Sequence, residues 1–227
     1  MINEVKLDRL NQKEALRYLG YGQSEPDEKI QMLLDECEQE LIAAARPRFV
    51  YKVFDIEQLD EGVAVLNSNF VMPGKSIKEH LNGCDKAVLM GVTVSMEVDR
   101  LLRTTQVDDM AKAVIIDSLA SVAVEQACDK VEAIIKSEMP EYNQTWRFGV
   151  GYGDLPLDVQ GNFLQLINAP KTIGLCISKS NMLTPTKSVT AIIGLSKNEI
   201  KGIRRGCQSC NLKGSCSYRE KGGHCNV

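Results

Sequence analysis

Two groups of residues in this sequence have the types and spacings that chemistry requires. The first is Cys207-x2-Cys210-x5-Cys216-x8-Cys225, in a tail that also carries Gly206, Gly214, Gly222 and Gly223. A C-x2-C pair sets two thiolates on one knuckle-like turn, and two further cysteines complete a tetrahedron around zinc or hold an iron–sulfur cluster. The spacing leaves zinc and iron–sulfur both open, and His224 beside Cys225 is an alternative ligand. The second group is Arg147-Phe148-Gly149-Val150-Gly151-Tyr152-Gly153. An arginine offers a bidentate fork to a carboxylate, and glycines let backbone donors and acceptors approach a ligand closely.

The glycine run formally matches the GxGxG loop that cradles phosphates in dinucleotide-binding folds, but its context differs. Few strand residues precede it, Pro156 disturbs the helix start it needs, and the next strand-like segment ends at Ile177-Ser178 without an acidic residue for a ribose. A tight turn carrying no ligand is the plainer alternative. The chain has only two histidines, and the expected role of His80, near a short helix before Gly83, is that of a surface or capping residue. No spacing supports a Ser-His-Asp or Cys-His hydrolase.

Composition narrows the class. The 227 residues are 44% hydrophobic and 25% charged, as in ordinary globular proteins, and suffice for a real core. A formal charge of −3 argues against a dedicated nucleic-acid binder. The longest apolar run, Ala87 to Met96, falls well short of the roughly 18 residues of a membrane span. The mixed charges of the first nine residues do not suit a signal peptide, so a cytoplasmic location is expected. In that reducing setting clustered cysteines point to metal rather than to disulfides. From Lys201 onward six basic residues face Glu220 alone, which marks the tail as a separate unit. That basic balance would offset the charge of four thiolates, or dock the tail on an acidic partner.

Helices are expected over Leu7–Leu19, ended by Gly20, and from Ser24–Asp27 to Pro47, with Ile30, Leu33, Leu34, Cys37, Leu41 and Ile42 on one face. Phe49–Ile56, Gly62–Asn67, Ala87–Ser95, Lys171–Ser178 and Ser188–Leu195 read as strands, and Ser76–Leu81 and Asp158–Ile167 as short helices. The longest helix is predicted from Asp109 to Lys136, with a stripe of Ala113, Ile116, Ala120, Ala123, Ala127, Val131 and Ile134. Ile115, Ser118 and Val122 lie on its other side, so its middle is expected to be covered twice. Glu125, next to Val122 on that second face, must snorkel to water or have a job. Without regular βαβ alternation the class is α+β: a mainly antiparallel twisted sheet, a long helix with flanking helices, and a small Cys-rich C-terminal metal lobe.

The run Arg147-Phe148-Gly149-Val150-Gly151-Tyr152, after a helix carrying Ile116-Asp117-Ser118-Leu119-Ala120 and Val124-Glu125-Gln126-Ala127, resembles the S-adenosylmethionine-binding activation domain of cobalamin-dependent methionine synthase. That family carries R-x-x-x-G-Y on a loop after such a helix. Ile173-Gly174-Leu175, Ser180 to Pro185 and Ser188-Val189-Thr190 are similar to its closing segment. The resemblance spans roughly Asp85 to Leu195, and the first 80 residues look more like stand-alone versions than the fused form. Phe148, Val150 and Gly153 stand where the family has prolines, and Ile193 where it has an aromatic residue.

The resemblance implies that Glu125, Arg147, Gly149, Gly151 and Tyr152 meet S-adenosylmethionine, and leaves open which residue takes its amino group. It also implies methyl transfer to Co(I) cobalamin held by a corrinoid-binding methionine synthase or related methyltransferase subunit, with an electron donor such as flavodoxin or ferredoxin. Such a transfer needs positioning and water exclusion rather than an acid or base, so no catalytic residue is expected. The metal ligands are expected at Cys207, Cys210, Cys216 and Cys225. The expected division is 1–84, an S-adenosylmethionine-binding core over 85–200, and the tail 201–227. The competing readings are a noncatalytic metal-binding interaction module and an iron–sulfur electron-transfer protein.

Overall fold

A computed structural model describes residues 3–21, 24–200 and 214–216. In chain order the elements are β1 (Asn3–Glu4), α1 (Gln12–Tyr18), α2 (Glu28–Ala44), β2 (Arg48–Leu59), β3 (Gly62–Val65), β4 (Val71–Pro73) and α3 (Lys75–His80). There follow β5 (Lys86–Thr93), α4 (Met96–Asp108), α5 (Met110–Glu138), β6 (Asn143–Gln144), β7 (Phe148–Gly149), a 3-10 turn at Leu157–Val159 and α6 (Gln160–Leu166). The described chain ends with α7 (Ala169–Ile173), β8 (Cys176–Ile177), β9 (Leu183–Thr184) and β10 (Ser188–Ser196). The strands pair in the order β4-β3-β2-β5-β10-β6, with β1 on β2 and β7 on β10, while β8 and β9 form a separate hairpin. The pairing is mainly antiparallel, as α+β composition suggests. No helix among the described residues is long and apolar enough to cross a membrane.

The chain divides into two compact units that interleave along the sequence rather than following one another. The first comprises Met1–Tyr51, Met90–Glu138 and Gln160–Thr190, the second Lys52–Leu89, Met139–Val159 and Ala191–Val227.

The first unit is built on α5, against which α1, α2 and α4 pack. Ala113, Ala120, Ala123 and Ala127 are all buried, and these small side chains let neighbouring helices come close. Ile115, Ser118 and Val122 on the other side are buried too, so the middle of α5 is covered twice. Each large aliphatic side chain buried here, such as Leu34, Leu41, Ile116 or Leu119, contributes about 1.5–3 kcal/mol. Lys112 adds ion pairs across α2 and α5, to Glu36 at 2.8 Å and Glu40 at 2.7 Å.

Helix ends follow side-chain chemistry. Asp27 caps α2 by accepting from the Ile30 amide at 2.8 Å. The first helix starts later than the Leu7 expected from periodicity: Asn11 accepts from the Glu14 amide and α1 begins at Gln12, while Leu7 and Leu10 are buried in the irregular chain before it. The expected strand over Lys171–Ser178 is replaced by α7 and the two-residue β8. Pro170 in the first turn of α7 and left-handed residues at both ends, Asn168 and Gly174, favour a single helical turn over the β preference of Thr172 and Ile173.

In the second unit Val63, Met72, Ile77, Leu81, Leu89, Phe148, Leu155, Ile193 and Leu195 form the buried interior. Gly194 is required by that packing. A Cβ there would lie 2.5 Å from the Cys84 sulfur, 2.9 Å from Leu81 and 3.1 Å from Thr145.

Candidate functional site

Arg147 occupies a break in the pairing of two edge segments with β10. Asn143 and Gln144 of β6 pair antiparallel with Ser196 and Leu195, and the Thr145 amide donates to the Gly194 carbonyl at 3.0 Å. Beyond the break, Phe148 and Gly149 of β7 pair with Ile192 and Ala191. The register has therefore slipped by one: Trp146 and Arg147 together oppose Ile193. An extra residue in one strand forms a β-bulge, which re-aims the side chains on it. Arg147 sits in this bulge and is buried, with 8% of its surface exposed. Sequence reading placed the arginine on a loop; the bulge is what gives that loop a fixed direction.

An aromatic cluster backs the bulge. The His80 ring meets Trp146 edge-on at 4.6 Å and lies 5.0 Å from Phe148, and Phe148 in turn lies 6.2 Å from Tyr152. Contrary to the surface role expected for it, His80 is buried at the end of α3. Its apolar neighbours contribute packing that periodicity within six helical residues cannot reveal. Burial pushes its pKa down to about 4, against hydrogen bonds from the ring to the backbone of Trp146 and Ile192 that favour the charged form. The ring is neutral at pH 7.

The glycines have structural roles of their own. A Cβ on Gly149 would strike the Tyr152 ring at 2.7 Å, so the tyrosine lies over that glycine while remaining mostly exposed. Gly151 and Gly153 have φ of +90° and +57°, which L side chains rarely adopt, and a Cβ on Gly153 would meet Ser76 at 2.4 Å. The loop is thus a chain reversal, closed by the Tyr152 amide on the Gly149 carbonyl at 3.1 Å. It runs into the 3-10 turn at Leu157–Val159, and its flanking strand pairs antiparallel. That is not the strand–loop–helix context of a dinucleotide-binding loop.

Asp154 follows directly. Its carboxylate accepts from the Lys75 and Ser76 amides at 2.7 and 2.9 Å, capping α3 from outside, because Gly74 at the cap position has no side chain. These backbone bonds hold the Asp154 pKa below the ordinary carboxylate value. Asp154→Ala is expected to destabilise the chain by about 1 kcal/mol, the usual loss for a cap, read from urea midpoints at pH 7. A lowered carboxylate pKa means this contribution is present above the unfolded value and fades as pH falls. The difference from wild type should therefore shrink at acid pH.

The structure brings Arg147, Gly149, Gly151 and Tyr152 into one stretch of the second unit. Glu125 belongs to the first, exposed on α5 near Tyr18. Of the expected metal ligands, Cys207, Cys210 and Cys225 lie outside the described residues, and Cys216 is partly exposed. Among the described residues no group of three or more His, Cys, Asp or Glu is placed to hold a metal ion. Sequence reading missed the frame of the loop: Thr145, His80 and Asp154. Only Asp154, after a glycine at a turn, left a trace of its capping role.

No protein-family model matches this chain, and no curated protein matches it in sequence. Its fold is similar to that in a crystal structure of the MetH reactivation domain bound to AdoHcy, with a TM-score of 0.65 and 13% identity, over 98% of this chain and 86% of that one. At such identity the likeness is one of fold. It reaches beyond the Asp85–Leu195 span of the sequence resemblance.

Proposed function

We propose that this chain is an S-adenosylmethionine-binding reactivation module for a cobalamin-dependent methyltransferase of the methionine synthase type. The observation that carries the reading is the fold likeness over nearly the whole chain to a reactivation domain that holds AdoHcy. The Arg147-x3-Gly151-Tyr152 sequence supports it independently.

In this reading the Arg147 guanidinium grips the ligand carboxylate as a bidentate fork. The backbone around Gly149 and Gly151 takes the nucleoside. Tyr152, exposed on the loop, faces the corrinoid substrate. The reaction needs no general acid. The electron pair of Co(I) attacks the methyl carbon, the carbon–sulfur bond breaks with its pair staying on sulfur, and S-adenosylhomocysteine leaves as a neutral thioether. The protein supplies alignment and excludes water. An external donor such as flavodoxin or ferredoxin supplies the electron that returns Co(II) to Co(I).

Calorimetric titration of anaerobically purified protein with S-adenosylmethionine and, separately, S-adenosylhomocysteine tests the reading. Saturable binding near one ligand per chain is expected for both. No heat and no thermal stabilisation with either would overturn it.

The cysteine tail is a separate proposal resting on spacing alone. Wild-type protein should carry bound zinc or an iron–sulfur cluster. The double variant Cys207→Ser, Cys210→Ser should lose at least nine-tenths of that metal by elemental analysis, because two of four thiolate ligands are gone. Equal metal in both proteins would remove the site.

A further inference from the structure

We propose that Thr145 and His80 are positioning residues for Arg147, acting through the bulge; the inference rests on the S-adenosylmethionine reading and says what gives that site its shape. The Thr145 hydroxyl stands at the last regular pair before the register slips. It accepts from the Gly194 amide at 2.8 Å, lies 2.9 Å from His80 Nε2, and reaches the Trp146 carbonyl at 3.2 Å. In a regular antiparallel ladder the Gly194 amide would donate to a main-chain carbonyl. Here a side chain takes that bond, which frees the following backbone to turn out of register.

One hydroxyl offers one proton and two lone pairs. Three partners around Thr145 use that full capacity, so the hydroxyl fixes β10, α3 and the bulge to a single point. A bulge held only by its own backbone would be free to place the extra residue at either Trp146 or Arg147. The His80 ring, wedged against Trp146 and Phe148, blocks that exchange.

Helix α3 completes the frame. Its last residue, His80, holds the start of the loop at Thr145, and its first amides hold the end of the loop through Asp154. Six helical residues span about 9 Å, and that rigid length sets the distance over which Arg147, Gly151 and Tyr152 are strung. Ser76 lies so close to Gly153, and Leu81, just past α3, so close to Gly194, that neither glycine has room for a Cβ. Arginine's planar fork needs its direction fixed to engage a carboxylate with two bonds, and a shift of about 1 Å in a positioned group is enough to cost a site a hundredfold.

The test is calorimetric titration of the full chain with S-adenosylmethionine, below each variant's melting temperature, alongside emission from Trp146, the chain's one tryptophan. Thr145→Val keeps the shape and removes the hydroxyl; it should weaken binding at least tenfold and shift Trp146 emission without ligand. Thr145→Ser restores the hydroxyl and should return affinity to within about threefold of wild type. His80→Phe keeps the aromatic packing but removes Nε2. It should weaken binding like Thr145→Val and serves if that variant does not fold. Wild-type affinity in both folded Thr145→Val and His80→Phe overturns the positioning role alone, as does a Thr145→Ser chain as weak as Thr145→Val. A wild-type chain that binds neither S-adenosylmethionine nor S-adenosylhomocysteine overturns the ligand reading, and this proposal with it.

Discussion

Acidification from pH 7 to pH 4 should remove about 3 kcal/mol of folding stability through His80 alone. The ring's pKa is about 4 in the folded chain, against an ordinary value of 6.5, and each unit of difference is worth about 1.4 kcal/mol. The folded value is the depressed one. Above pH 6.5 both states carry neutral imidazole and the contribution is fully present. Between 6.5 and 4 the unfolded chain takes up a proton that the folded chain refuses, so stability falls with pH until the buried ring is protonated as well. The cause is desolvation: Trp146 and Phe148 lie against the ring. Carboxylates titrate over part of the same range, so the quantity to compare is the slope of stability against pH in wild type and His80→Phe. The variant should be flatter between pH 6.5 and 4. Equal slopes would mean that the ring is hydrated or already charged.

The expected magnitude is a large share of the 5–15 kcal/mol that holds a typical domain. It falls on the part of the second unit where Arg147 and the glycine loop are anchored. The ring packing against Trp146 and Phe148 depends on an uncharged imidazole in an apolar wall. Loss of that state should loosen the bulge before the α5 core of the first unit responds. Trp146 emission, followed through the same titration, should therefore change ahead of helix content measured by circular dichroism.

What sequence could and could not reveal divides by the range of the interactions. Local periodicity located α2 and α5, and the paired apolar faces of α5 correctly anticipated cover on two sides at Ile115, Ser118 and Val122. The signal for α4 was also present, in Val98, Leu101, Leu102 and Thr105 at helical spacing, but the polar residues among them diluted it. A five-residue α7 was unreadable from β-branched composition, because its ends are set by Asn168 and Gly174 in left-handed backbone rather than by propensity. The site shows the same division. Arg147, Gly151 and Tyr152 are visible because they lie within six residues of one another. Thr145 meets His80 across 65 residues, and Asp154 meets the α3 amides across 78 and 79. Such contacts depend on strand register and helix placement, which no short window of sequence contains. The one-residue slip against β10 is the extreme case: it requires the pairing of two segments that are each two residues long.

Arg147→Ala should weaken S-adenosylmethionine binding by roughly 2–3 kcal/mol, or about 30- to 150-fold in Kd. The size follows from what would be left behind. The arginine is buried at the bulge, and a carboxylate brought into that environment without its partner keeps its desolvation cost and loses its charge-assisted bonds. Arg147→Lys retains the charge but gives up the fork, and should fall between the two. Because S-adenosylmethionine and S-adenosylhomocysteine share the amino-acid end and differ at sulfur, the loss on Arg147→Ala should be the same for both. Decarboxylated S-adenosylmethionine closes the argument as a double-mutant cycle with one partner on the ligand. If Arg147 grips the carboxylate, the variant should bind the decarboxylated compound as well as wild type does. A change below about 0.5 kcal/mol with the intact ligand would remove Arg147 from the site. An undiminished loss with the decarboxylated ligand would instead assign it to another part of the molecule.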